Sequence, residues 1–241
     1  MYHVILAGGS GSRFWPKSRV DTPKQLLKIL GEETMIRLTY NRLGEIADSD
    51  KIFVVASDNL SKLIHNDIPE IPEENFIIEP SGKNTAPAIG LAALHIFKRD
   101  SNAIMGVYPA DHLIVGDLKF KRIIAKAQKM VEKKSCLITI GIEPTYPATG
   151  YGYIQYDSNK KMDVKGVYKV KTFAEKPEKE TADKFIRSGE FLWNAGMFVW
   201  KAEIILLEMK TFMCELHDSL DSIYDALGTP QYETVLDREW E

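Results

Sequence analysis

The sequence has only two cysteines, no long apolar run and no strong excess of charge. Cys136 and Cys214 lack the paired spacing of a metal site or a disulfide framework, so both are expected to be buried, reduced thiols. No apolar run approaches the roughly 18–20 residues that a membrane span requires. The chain also enters its first strand without a charged and then apolar leader. These absences predict a cytoplasmic protein that does not bind a membrane.

The charge balance argues against a general affinity for nucleic acid. The formal net charge is −3, with hydrophobic residues at 44% and charged residues at 27%, as in ordinary globular proteins. Repeats and low-complexity tracts are absent from the sequence, so disordered and fibrous classes are excluded. The length of 241 residues allows one large domain or two small ones. Because the chain has no strong net positive charge, any phosphate-bearing ligand must be bound at a local site.

Short apolar segments alternate with amphipathic helical segments in the first part of the chain. The predicted strands are residues 2–6, 51–56, 76–79, 103–108 and 136–142, and the main predicted helices are residues 34–46, 86–99 and 118–133. This alternation predicts an α/β fold with a mostly parallel sheet covered on both faces. Later segments at 151–156, 164–173 and 196–200 predict antiparallel strands in a smaller second lobe, and residues from 202 onward are helical.

A glycine-rich loop follows the first predicted strand and reads Leu6-Ala7-Gly8-Gly9-Ser10-Gly11-Ser12-Arg13. It lacks the Gly-Lys-Ser/Thr ending of a Walker loop and the third glycine of a dinucleotide fingerprint. Its glycines allow successive N–H groups to turn toward an anion. Among the nearby cations, Arg13 and Lys24 are predicted to bind phosphates, whereas Lys17 and Arg19 fit a solvated role equally well. The alternative interpretation of the glycines is a tight connection.

Two acidic residues follow predicted strands at the end where open α/β sheets bind ligands. Glu79 can accept the N1–H and N2–H donors of a guanine edge, or it can be a capping or solvated carboxylate. Thr85 is predicted to cap the helix that follows. Asp111 is the best candidate for a Mg²⁺ ligand, because Mg²⁺ takes one or two carboxylates together with substrate phosphates. The alternative for Asp111 is a helix or turn cap.

The loop from 141 to 153 is rich in glycine, proline and aromatic residues, and it suits a sugar platform with Gly150 offering its backbone amide. Further along, Glu175 can accept sugar hydroxyls, Lys176 can hold a sugar phosphate, and Asn194 can bond to either. The alternatives are an ordinary long connection, a surface ion pair and a buried asparagine in a turn.

These segments together, in this order, resemble the mannose-1-phosphate guanylyltransferase family, also called GDP-mannose pyrophosphorylases, over nearly the whole chain. The glycine loop with Arg13 and Lys24 is similar to sugar nucleotidyltransferases broadly. Closer resemblance lies in four motifs: Glu79-Pro80 with Asn84-Thr85-Ala86-Pro87-Ala88-Ile89, Pro109-Ala110-Asp111-His112, Thr149-Gly150-Tyr151-Gly152-Tyr153-Ile154 and Trp193-Asn194-Ala195-Gly196-Met197-Phe198.

The resemblance implies a Rossmann-like, mostly parallel sheet flanked by helices, with a smaller antiparallel sugar-binding lobe. It implies one catalytic domain over residues 1–241, with a nucleotide half of about 1–142 and a sugar-phosphate half of about 143–241. Relatives continue into strands with a second metal-binding aspartate and into an oligomerisation domain. A missing C-terminal part of the family domain is therefore expected, and a homodimer is compatible with the resemblance.

The implied reaction is transfer of GMP from GTP to mannose 1-phosphate, with Mg²⁺, to give GDP-mannose and pyrophosphate. The implied catalytic residues are Arg13, Lys24 and Asp111, with Asp111 as the metal ligand. The implied nucleotide contacts are Leu6, Ala7, Gly8, Gly9, Gly11, Ser12, Glu79, Asn84 and Thr85, and the sugar-phosphate contacts are Gly150, Glu175, Lys176 and Asn194. Two alternatives stay open: a nucleotide-sugar-binding fragment with little turnover, and a transferase for another nucleotide or hexose 1-phosphate.

Overall fold

The computed structural model describes residues 1–9, 11, 14–19, 22–29 and 31–241, and the elements below are those of this part of the chain. The strands are β1 (Tyr2–Leu6), β2 (Ile52–Ala56), β3 (Phe76–Ile78), β4 (Ile104–Pro109), β5 (Ile138–Ile142), β6 (Tyr153–Lys161), β7 (Tyr168–Ala174) and β8 (Phe191–Lys201). The α-helices are α1 (Met35–Gly44), α2 (Asp58–Asp67), α3 (Thr85–Arg99), α4 (Asp117–Lys133), α5 (Lys179–Ser188), α6 (Ala202–Phe212), α7 (Cys214–Ala226) and α8 (Tyr232–Glu239).

The first four strands form the parallel part of the sheet, in the order β3-β2-β1-β4. Alternate residues of each strand face opposite helix layers, as the pleat of a strand requires. In β2, Phe53 and Val55 pack in the cluster beneath α3, α6, α7 and α8, whereas Ile52 and Val54 pack in the cluster beneath α1, α2 and α4. Burial on both faces explains why these strands are continuous apolar runs in the sequence.

The longest of the strands, β8, joins the parallel part to the antiparallel part. Phe198 is paired with β4 on one edge and with β5 on the other, and Trp193 is paired with β5 and β6 in the same way. β4 and β6 therefore lie on the same edge of β8 and diverge between Trp193 and Phe198. Gly196, in this fork, has a positive φ of 63°.

The antiparallel strands predicted after residue 142 are present, and they extend the same eight-stranded sheet. The bounds of two strands differ from the prediction. Strand β6 continues through the polar residues 157–161, and β7 begins only at Tyr168. β7 is largely exposed along its length, so the polar residues of the β6–β7 ribbon need no burial. The division of the chain near residue 142 stays a prediction.

One expectation about the thiols was wrong. Cys214 is exposed, because it begins α7 at the break that follows α6, and its Sγ donates to the carbonyl of Lys210. Cys136 is half-buried, and burial raises the pKa of its thiol. Among the described residues, no helix is both long enough and apolar enough to cross a membrane.

Candidate active site

A cavity of about 560 Å³ opens at the carboxyl ends of the four parallel strands, beside the fork in β8. It brings together predicted site residues that are far apart in sequence: Leu6, Gly8, Gly9, Lys24, Glu79, Asn84, Thr85, Asp111 and Asn194. Gly82, Pro109, Gly196 and Phe198 also line it, and the sequence analysis did not assign them a role. Residues predicted to bind nucleotide and metal therefore share one space with Asn194, one of the four residues predicted to bind the sugar phosphate.

The glycine loop is supported by the side chain of Gln25, which is fully buried and was not among the predicted site residues. Its Nε2 donates to the carbonyls of Ala7 and Gly8, the latter at 3.1 Å. Because C=O and N–H of a trans peptide point in opposite directions, the N–H groups of Gly8 and Gly9 point away from Gln25. In the sequence, the only feature that could have indicated this role of Gln25 was its position as a polar residue next to the apolar Leu26.

The remaining loop residues have different positions. Ala7 is buried and does not line the cavity, and its N–H donates to the carbonyl of Val55 at 2.9 Å. Gly11 has a φ of 68°, and a Cβ at this position would lie 2.3 Å from Ser18 Oγ, so it is packed against the loop rather than open to the cavity. Ser12 and Arg13 lie outside the described residues.

Lys24 and Asp111 form an ion pair inside the cavity, with Nζ and Oδ2 2.5 Å apart. Lys24 precedes Gln25 in a short 3-10 turn, and Asp111 follows the last residue of β4 by two positions. The ammonium also lies against the glycine loop, since a Cβ on Gly9 would be 3.5 Å from Nζ. A cation and a carboxylate predicted to act on phosphate and metal are thus adjacent.

Glu79 is a buried carboxylate that faces the glycine loop, and only 5% of its surface is exposed. Its Oε1 lies 3.1 Å from the position of a Cβ on Gly8. Its N–H donates to the carbonyl of Ala56 at 3.0 Å, which continues the β2–β3 ladder and fixes the residue at the strand end. Burial raises the pKa of the carboxyl group. The structure therefore presents a desolvated acceptor to the cavity.

The N-terminus of α3 also opens into the cavity. Asn84 precedes the helix with φ 71° and ψ −166°, a region that is essentially restricted to glycine and costs about 1–3 kcal/mol elsewhere. Thr85 is the first residue of α3, so the prediction that it caps this helix was wrong, because the turn at Asn84 places Thr85 inside the helix. The N-cap residue Asn84 makes no side-chain hydrogen bond to this end of the helix, and the positive end of the helix dipole faces the cavity.

Asn194 stands at the fork of β8 with its amide orientation fixed by two donors. Its Oδ1 accepts hydrogen bonds from Thr139 Oγ1 at 3.2 Å and from the N–H of Gly196 at 3.0 Å. With the oxygen occupied in this way, the amide NH₂ is the group left to interact with a ligand. The sequence analysis missed Thr139, which no local pattern distinguishes from other strand residues of β5.

The other predicted sugar-phosphate contacts lie outside the cavity wall. Glu175 and Lys176 are exposed and paired with each other, with Oε1 and Nζ 3.0 Å apart. A Cβ on Gly152 would lie 2.8 Å from Glu175 Oε2 and 3.6 Å from the Cβ of Asn194, so Glu175 and Asn194 flank this glycine. Gly150 is exposed with open space around it. Glu175 therefore lies near Asn194, with Lys176 paired to it, whereas Gly150 is seen only as an exposed residue.

The carboxylates of the described residues do not form a ready-made metal cage. Among these residues, no group of three or more histidine, cysteine, aspartate or glutamate side chains is arranged to hold a metal ion. Asp111 contributes a single carboxylate, so any cation there would complete its shell with ligand oxygens and water.

Comparisons with known proteins agree on the type of protein. The family model for nucleotidyl transferases matches residues 2–241. The chain is 39% identical over 197 residues to a mannose-1-phosphate guanylyltransferase from Salmonella montevideo, covering 80% of this chain and 41% of the relative. It is 39% identical over 201 residues to one from Escherichia coli strain K12, covering 81% and 41%. The chain thus spans about two fifths of the length of the curated relatives it matches.

A solved structure from Thermus thermophilus, described as a mannose-1-phosphate geranyltransferase, has the same architecture. It superimposes with a TM-score of 0.87 at 26% identity, over 98% of this chain and 67% of that one. The predicted fold, a mostly parallel sheet with antiparallel strands and flanking helices, is confirmed.

Proposed function

The chain belongs to the nucleotidyl transferase family, and we propose that it transfers GMP from GTP to mannose 1-phosphate, forming GDP-mannose and pyrophosphate. The observation that carries this proposal is the single cavity shared by Lys24, Glu79, Asp111 and Asn194. We assign these residues, in that order, as a phosphate-binding cation, a guanine-edge acceptor, a metal ligand and a sugar-phosphate donor. The names of the curated relatives support the choice of GTP and mannose 1-phosphate.

On the nucleotide side, we assign the guanine edge to Glu79. Its carboxylate is buried, and it can accept the N1–H and N2–H donors of guanine, which adenine lacks. The glycine loop with Gly8 and Gly9 would then receive the triphosphate, and Asn84 and Thr85 at the start of α3 would contact the nucleotide. Arg13 keeps its proposed role as a second phosphate cation on the basis of the resemblance.

The chemistry requires little from the protein beyond position and charge. A phosphate oxygen of mannose 1-phosphate attacks the α-phosphorus of GTP, the bond from that phosphorus to the bridging oxygen breaks, and the electron pair leaves with pyrophosphate. Negative charge therefore grows on the leaving group and on the equatorial oxygens. Lys24, exchanging Asp111 for these oxygens, would neutralise that charge and hold it in place.

Asp111 is the residue that we assign to Mg²⁺. A single carboxylate in a cavity that also admits phosphates fits the usual Mg²⁺ donor set of one or two carboxylates, substrate phosphates and water. When bound, such an ion withdraws charge from the phosphate oxygens. In the ligand-free protein Lys24 and Asp111 form an ion pair, which offsets part of the cost of removing each charge from water.

On the sugar side, Asn194 would donate its amide NH₂ to a phosphate or hydroxyl oxygen. Glu175, on the other side of Gly152, would accept sugar hydroxyls. Gly150 and Lys176, both exposed, keep their proposed roles as sugar-phosphate contacts on the basis of the resemblance. Asn194, at the fork of β8, lines the same cavity as Lys24 and Glu79, and this supports the assignment of a sugar side next to the nucleotide side.

The test is pyrophosphate release by the 241-residue chain with GTP, mannose 1-phosphate and Mg²⁺. ATP and glucose 1-phosphate replace one substrate at a time, and Asp111→Asn is the matched control for contaminating activity. Release with the guanine and mannose pair alone, abolished in the variant, is the expected result. Equal release with ATP or glucose 1-phosphate would favour a different substrate pair. Calorimetric binding of GTP without any turnover would favour a binding fragment and contradict the proposal.

A further inference from the structure

We propose that Trp240 is a positioning residue for the nucleotide side of the cavity, because its indole holds the loop between β3 and α3 in place. This loop, residues 79–84, carries Glu79, Gly82 and Asn84 to the cavity wall. The inference rests on the proposed function for the identity of the nucleotide. The contact itself is a property of the ligand-free fold.

The loop has little of its own to define its conformation. Residues 80–84 are exposed, and no side chain of the loop caps α3. Asn84 adopts a backbone conformation that is costly for any residue other than glycine. Such a conformation persists only where surrounding contacts impose it, so the loop requires an external support.

Trp240 provides that support from the other end of the chain. It follows α8 directly, it is 5% exposed, and it belongs to the hydrophobic cluster beneath α3 and α6. Its Nε1–H donates to the carbonyl of Ser81 at 2.7 Å, the residue before Gly82 of the cavity wall. Lys83 Nζ donates to the backbone carbonyl of Glu241, which adds a second contact between the same two segments.

Helix α8, which directly precedes Trp240, also contacts α3. Leu236 of α8 is buried in the same cluster, and the Tyr232 hydroxyl shares a hydrogen bond of 2.8 Å with His95 Nε2. His95 lies on α3. Helix α8 therefore contacts α3 directly, and Trp240, the residue after α8, contacts the loop that leads into α3. The indole hydrogen bond therefore connects the exposed loop to a helix that is packed against the core.

The size of the effect is bounded by the strength of one hydrogen bond. Losing a single neutral, partly buried hydrogen bond corresponds to about a two- to tenfold change in an equilibrium constant. The apparent affinity for nucleotide falls by at most the same factor as the competent fraction of the loop. Affinity for the sugar phosphate should not change, because Asn194 and Glu175 are supported by β5, β8 and Gly152 instead.

The chain offers a matched pair of variants. Trp240→Phe removes the indole N–H and keeps an aromatic ring in the core. Trp200→Phe makes the same change at another buried tryptophan of the same cluster, whose Nε1 has no hydrogen-bond partner among the described residues. Any cost of exchanging a buried indole for a smaller ring is then shared, whereas the hydrogen bond to Ser81 is lost only in Trp240→Phe. Trp200 stacks on Phe198 of the cavity wall, and phenylalanine keeps an aromatic ring in that contact.

Two measurements test the proposal. Amide hydrogen exchange of the ligand-free protein is followed in peptides that cover residues 79–84, and calorimetry measures the affinities for GTP and mannose 1-phosphate. In Trp240→Phe we expect faster exchange of the loop and a two- to tenfold weaker affinity for GTP, with the mannose 1-phosphate affinity unchanged. Trp200→Phe should alter neither, and melting curves of both variants should remain cooperative.

Each other outcome overturns the inference. Unchanged exchange in Trp240→Phe means that the indole does not hold the loop. Faster exchange with full GTP affinity means that the loop position does not matter for nucleotide. Equal losses for GTP and mannose 1-phosphate, or equal effects in both variants, indicate general loosening of the core. If the unmodified chain fails to bind GTP, the proposed function fails, whereas the exchange experiment still decides whether Trp240 holds the loop.

Discussion

Replacing Glu79 by glutamine separates the cost of burying its carboxylate from the use of that carboxylate in recognition. The substitution keeps the shape of the side chain and removes its charge. At the cavity it leaves one oxygen to accept a hydrogen bond and turns an NH₂ group toward the second guanine donor. We therefore expect Glu79→Gln to weaken GTP binding while it makes the ligand-free protein more stable at neutral pH.

The expected loss of affinity follows from the burial of the site. Glu79 is 5% exposed, so a lost acceptor is not replaced by free water. A hydrogen bond to a charged group contributes about 1.5–3 kcal/mol, which corresponds to roughly a ten- to 150-fold loss of GTP affinity. ATP offers no pair of donors to this carboxylate, so the preference for GTP over ATP should fall by about the same factor.

The stability change has the opposite sign because burial raises the pKa of the Glu79 carboxyl. A raised pKa in the folded state means that ionisation opposes folding, so stability is fully present below the ordinary pKa of 4.5 and declines as pH rises through the folded value. The glutamine variant does not ionise. Its advantage should be present at pH 7 and should shrink as pH falls toward 4.5.

Calorimetry with GTP and ATP measures the first effect, and urea unfolding between pH 8 and pH 5 measures the second. Glu203→Gln, which changes an exposed carboxylate of α6 outside the cavity, is the control for loss of one negative charge. Full GTP affinity in Glu79→Gln, or equal losses for GTP and ATP, would refute the role in guanine recognition. A stability difference that does not depend on pH would refute the explanation by burial of the ionised form.

Three further substitutions test single contacts of the site. Lys24→Met should lower turnover about 10²- to 10³-fold in a pyrophosphate-release assay, yet shift the melting temperature little, since its pair with Asp111 is partly exposed; equal losses of both would contradict the role. Gln25→Met leaves two loop carbonyls unpaired and should cost about 1–3 kcal/mol in urea unfolding; unchanged stability would show that the contact is dispensable. Thr139→Val removes one of the two donors that orient the oxygen of Asn194 and should raise KM for mannose 1-phosphate about two- to tenfold in steady-state assays, with Thr139→Ser restoring it; a matching rise for GTP would point to general damage.

Several parts of the site were accessible from the sequence because they depend on local patterns. A strand followed by glycines predicts a phosphate-binding loop, and an acid directly after a buried strand lies at the carboxyl edge of a parallel sheet. Glu79 and Asp111 were selected by their positions after strands and Lys24 as a cation near the glycine loop, and all three line the cavity. The role of each residue in catalysis or binding remains a prediction.

The residues that support the site were not accessible, because each acts through a partner distant in the chain. Gln25 contacts the backbone carbonyls of Ala7 and Gly8, Thr139 orients Asn194 across two strands, and Trp240 reaches the carbonyl of Ser81. Their side chains follow no periodic pattern. The error at Thr85 has the same origin, since the left-handed turn at Asn84 depends on contacts beyond the helix.

Hydrophobic periodicity and glycine conformations act over a few residues, so the alternation of strands and helices and the residue types at the strand ends could be predicted from the sequence. The divergence of β4 and β6 on one edge of β8, which brings Asn194 into one cavity with Lys24 and Asp111, could not be predicted in this way. That divergence depends on strand pairing between residues far apart in the chain, which only the packed sheet brings into register.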